Sequence, residues 1–104
     1  MTRRDALVRV IDALHAEIAA LKSNDVAALE RATQVKLGYI DAVANAPDQG
    51  VPSPELKQLA QEAQRLNETC RIYVNLMAAN VRRRLQQIAG LDGAGYRPGS
   101  GALA

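Results

Sequence analysis

Large apolar residues between Asp5 and Lys22 fall at Leu7, Ile11, Leu14, Ile18 and Leu21. Steps of four, three, four and three place them on one side of a helix, which the spacing predicts over about 4–22. Asp12, His15 and Glu17 read as lying off that stripe, on the face left to water. Ser23-Asn24-Asp25 then interrupts the pattern with three residues whose short polar side chains favour helix ends over interiors. A second helix is expected over about 25–46, with a weaker stripe through Leu29, Ala32, Val35, Lys36, Tyr39, Ile40 and Val43, ending before Pro47 and Gly50. If the triplet is ignored, the first stripe continues in phase through Ala28, Ala32, Val35 and Tyr39, so one helix from Arg4 to Ala46 is the alternative. The break is preferred because Asn-Asp is a start signal and Leu29 and Ile40 fit a shifted phase.

Ser53-Pro54-Glu55 marks the clearest boundary. Serine caps, proline occupies the first helical position where a missing N–H costs nothing, and glutamate suits the positive helix end. The third helix is predicted over 53–89, roughly 54 Å at 1.5 Å per residue. Leu56, Leu59, Ala63, Leu66, Cys70, Tyr73 and Met77 keep a heptad rhythm that slips afterwards to Val81, Leu85 and Ile88. Ile72, Val74 and Leu76 make the stretch up to Val81 apolar nearly all round, and such a helix needs cover from its own chain or another. Beyond Ala89 the composition turns to Gly, Ser and Pro, and residues 91–104 read as a flexible tail on a single helical domain over 1–90. The fold class expected is all-α, an antiparallel bundle or coiled coil of three helices with a long last one.

Composition agrees with that class. Aromatic residues make up only 3% of the 104, with neither Trp nor Phe, which argues against a β-sandwich or barrel. Thirteen basic against eleven acidic side chains give +2, a balance that names no partner. One cysteine, no apolar leader after Arg3 and Arg4, and no run near ~20 apolar residues predict a cytoplasmic, unprocessed protein without membrane insertion.

Chemistry is sparse. His15 is the only histidine and Cys70 the only thiol, so zinc and triad sets are not expected; no metal, cofactor or catalytic residue is assigned. Cys70 reads as a small hydrophobe on the helix seam. Arg82-Arg83-Arg84 has no interleaved aromatics for stacking on single strands, so nucleic acid is not an expected partner. Arg9, Lys22 and Lys36 invite comparison with the small all-helical chorismate mutases, which hold a dicarboxylate with buried Arg and Lys. The Ser-Asn-Asp interruption falls where that fold wants a continuous first helix. Tyr96, alone among the glycines of the tail, would add nothing to folding but offers a large contact to a partner.

The order of features resembles the FlgN-type flagellar export chaperones. Glu17 and Leu21, then Asn24-Asp25, Leu29 and Lys36, follow that family's progression; Cys70-Arg71, Asn80 with the Arg-Leu run to Ile88, and Tyr96 before Gly99 resemble its C-terminal segment. The resemblance implies a cytoplasmic, non-enzymatic chaperone that binds the C-terminal helices of hook-filament junction proteins, blocks their premature assembly and delivers them to the export gate. Leu76, Asn80, Val81, Leu85 and Ile88 are the candidate client-binding residues, with Arg82 to Arg84 as a rim for acidic client side chains. Tyr96 is the candidate gate contact. The alternative is an adaptor that self-associates as a coiled coil through the same strip, giving a homodimer without a role in export.

Overall fold

The protein is described here as a computed structural model, covering residues 1–47 and 50–90 throughout and 91–94 as backbone. Three helices form: α1 (Arg3–Lys22), α2 (Val26–Asn45) and α3 (Pro54–Ala94). There is no strand among the described residues. Each boundary has a local cause. Thr2 opens α1 with a capping box, its hydroxyl accepting from the Asp5 amide at 3.0 Å while the Asp5 carboxylate accepts from the Thr2 amide. Hydrogen bonding of the Thr2 hydroxyl and then the Thr2 amide to the Asp5 carboxyl lowers it from its ordinary value.

The α1–α2 corner takes the broken form, not the single long helix. Asn24 adopts φ +56°, the left-handed region that asparagine tolerates better than most residues. Its amide donates to the Leu21 carbonyl at 3.2 Å, and the Asp25 amide reaches back to the Ala20 carbonyl at 2.9 Å, closing a Schellman turn. The Asp25 carboxylate then accepts from the Ala28 amide at 3.0 Å and caps α2. α2 ends before Pro47, and Ser53 caps α3 by accepting from the Leu56 amide at 3.1 Å. Where the sequence pattern ended the last helix at 89, the backbone stays helical through Gly90 to Ala94. The remainder of the expected tail, with Tyr96, lies outside the described residues.

The chain divides into two compact units, Met1–Tyr73 and the part from Val74 onward. In the first, Arg3 at the start of α1 donates to the Ala46 carbonyl just past α2 at 3.1 Å, so α1 and α2 are antiparallel. Arg4 pairs with Glu55 at 3.0 Å and Cys70 lies 4.0 Å from the Leu14 carbonyl, so α3 runs alongside α1 in the same direction. The result is an up-down-up three-helix bundle. α1 is its central member: Ala6, Leu7, Val10, Ala13, Leu14, Glu17, Ala20 and Leu21 are buried there, against Ala32 alone on α2 and Leu66 and Cys70 on α3.

The predicted α1 stripe needs two corrections. Ile11 and Ile18 are only half-buried, because the buried arc is turned toward Ala6, Ala13 and Ala20. These small residues let the neighbouring helices approach closely, a signal missed when only large side chains are counted. Glu17, expected in water, is 3% exposed. It lies three residues after Leu14 and four before Leu21, and so falls within that arc.

The second unit is helical from Val74 to Ala94. Every residue from Val81 to Gly90 is exposed.

Candidate functional site

Two places in the molecule concentrate chemistry. The first is a buried polar node in the bundle. The Thr33 hydroxyl donates to Glu17 Oε2 at 2.7 Å, and Lys36 Nζ lies 3.1 Å from Oε1 and 3.0 Å from Oε2. Cys70 Sγ stands 3.6 Å from Oε1. Glu17 and Lys36 side chains are 4% and 16% exposed, so the ion pair is largely shut away from water. One carboxylate thus receives donors from α2 and α3 and joins all three helices at one level. Burial, followed by the Glu17 charge and its hydrogen bond, pushes the Cys70 thiol up to about 11, which keeps it a neutral donor and a poor nucleophile.

Beside this node, α2 and α3 part over α1 and leave an apolar groove of 470 Å³, walled by Leu7, Val10, Ile40, Val43 and Ala63 with Lys36 at its edge. The basic residues compared above with a dicarboxylate site do not converge there. Lys36 is engaged by Glu17, Lys22 lies over the Tyr73 ring at 6.0 Å from its centroid, and Arg9 lines a separate surface with Asp12 and Arg31. His15 is exposed. No cluster of metal-ligating side chains occurs among the described residues, and no helix described is long and apolar enough to cross a membrane.

The second place is the α3 segment from Val74 to Ile88. Val81, Leu85 and Ile88 are 57%, 61% and 58% exposed, with Val74 at 50% and Met77 half-buried. At about 100° per residue, Val74, Met77, Val81, Leu85 and Ile88 form one strip. Leu76 is exposed too, but it lies about 140° round the helix from Val81, nearer Arg83. Asn80 flanks the strip, and its side-chain carbonyl accepts from Arg83 at 3.2 Å. The structure therefore groups three of the five candidate client-binding residues, Val81, Leu85 and Ile88, sets Asn80 at the edge and puts Leu76 on the other side. Val74 and Met77 belong to the strip and were absent from the candidate set; their offsets of seven and four from Val81 are the signal that finds them. Tyr96 lies outside the described residues.

No family model, curated protein or solved structure matches this chain.

Proposed function

We propose that the protein is a flagellar export chaperone of the FlgN type, which captures the C-terminal helix of a hook-filament junction protein on the late part of α3 and carries it to the export gate. One observation supports this reading above the others: Val81, Leu85 and Ile88 form a single apolar strip on α3 and each is more than half exposed. An amphipathic helix laid along such a strip removes both apolar faces from water, and about 25 cal/mol per Å² of buried apolar surface favours the pair. Holding the client helix in this way also denies it to other copies of the client.

The test is titration of the full chain with a peptide spanning the C-terminal helix of a hook-filament junction protein. A 1:1 complex is expected, with slowed hydrogen exchange from Val74 to Gly90. Leu85→Asp should abolish it while leaving the thermal transition of the bundle in place, since Leu85 is not part of the bundle core. The absence of a complex overturns the proposal, and a stable homodimer that no client peptide dissociates overturns it in favour of the adaptor. Tyr96 is assigned the gate contact. Tyr96→Ala is expected to keep peptide affinity within about twofold and to reduce client secretion in flagellated cells.

A further inference from the structure

The strip on α3 is bordered by charge of one sign. Between Glu68 and Asp92 the sequence contains no acidic residue, while Arg82, Arg83 and Arg84 fall inside that interval. The basic residue before them, Arg71, is already neutralised by Glu68 in an i,i+3 ion pair. Helix geometry separates the three arginines. Taking Val81 as the centre of the strip, Arg84 lies about 60° to one side and Arg82 about 100° to the other, while Arg83 lies about 160° away, on the far side. Arg83 there donates to Asn80. All three are exposed.

We infer that the partner of this strip is an amphipathic helix with carboxylates on both borders of its apolar face, one row meeting Arg82 and the other Arg84. This rests on the helix-capture reading and specifies the chemistry of the captured helix. Acidic borders follow from complementarity: a helix with basic borders would set like charges against Arg82 and Arg84 as its apolar face closed down. The same argument disfavours a second copy of the strip as occupant. The segment from Ile72 to Gly90 brings three arginines and no carboxylate, so two copies would meet with nothing to neutralise them.

The experiment uses the full-length protein and two designed 28-residue peptides with the same leucine seam, one bordered by glutamate and one by lysine. Binding is followed by fluorescence anisotropy in 50 mM and 500 mM NaCl. The glutamate peptide is expected to bind at least about tenfold tighter at low salt, with the gap narrowing at high salt as screening shortens the reach of the charges. Arg82→Glu/Arg84→Glu should reverse the preference. Arg83→Glu, which changes net charge equally per residue, should leave it in place. Circular dichroism on each variant checks that α3 stays helical. Equal binding of both peptides overturns the acidic preference but leaves helix capture standing; binding of neither overturns both. An Arg83→Glu effect as large as that of Arg84→Glu alone would show a diffuse charge effect and overturn the assignment of the two borders.

Discussion

Glu17 joins the three helices through its side chain, and its partners set what each substitution does. Glu17→Ala leaves Lys36 and Thr33 facing a low-dielectric interior without their acceptor, and is expected to cost about 3 kcal/mol in urea unfolding. Replacing both ion-pair partners by apolar residues, Glu17→Leu with Lys36→Met, should recover most of that loss, because the desolvation of two charges is then avoided. Cys70 gives a pH signature. Its thiol titrates higher in the folded than in the unfolded chain, so its stabilising contribution is complete below the ordinary thiol range and lost as pH climbs through about 11. Between pH 8 and 11 the wild type should lose on the order of 2 kcal/mol more than Cys70→Ala, measured as the difference between their unfolding curves. The burial of Cys70 was legible from its place in the heptad rhythm. Its partner was not, because a glutamate among leucines reads as surface until the small alanines around it are counted as part of the buried side.

At the level of elements, the α1–α2 corner and the start of α3 were the most legible features, since both rest on bonds made within five residues of sequence. Ser53-Pro54-Glu55 and Asn24-Asp25 both do in the structure what their side chains favour. Asn24→Val should destabilise the α1–α2 hairpin by about 1–2 kcal/mol in urea melts, since a β-branched residue strains at φ +56°. Asn24→Gly is expected to be neutral or mildly stabilising by the same assay. The end of α3 was less legible: Gly90 and Gly93 weaken a helix without forbidding it, and the backbone carries on to Ala94. The membership of the α3 strip was partly hidden for a related reason. Leu76 is as apolar as Leu85, and only strict angular bookkeeping puts them on different sides.

Across the whole chain, burial is uneven. The first unit holds all the buried residues described, and the second offers none. Amide exchange should follow this division. The middle of α1 is expected to exchange near the rate of global unfolding, and Val81–Gly90 faster, by at least about 100-fold, in the free protein. All-helical class could be read from periodicity, and helix number from periodicity together with the boundary signals at Ser23-Asn24-Asp25 and Ser53-Pro54-Glu55. How much each helix would be covered could not, because an apolar stripe on a helix does not show what lies against it. The corner at Asp25 bears on assembly. One residue completes the end of α1 and begins α2, so the corner of the hairpin is set through bonds spanning six residues or fewer. Such short-range closure is quick compared with the docking of a distant segment. During synthesis, α1 and α2 can therefore meet before α3 has emerged beside them, and α3 then docks on a corner already set.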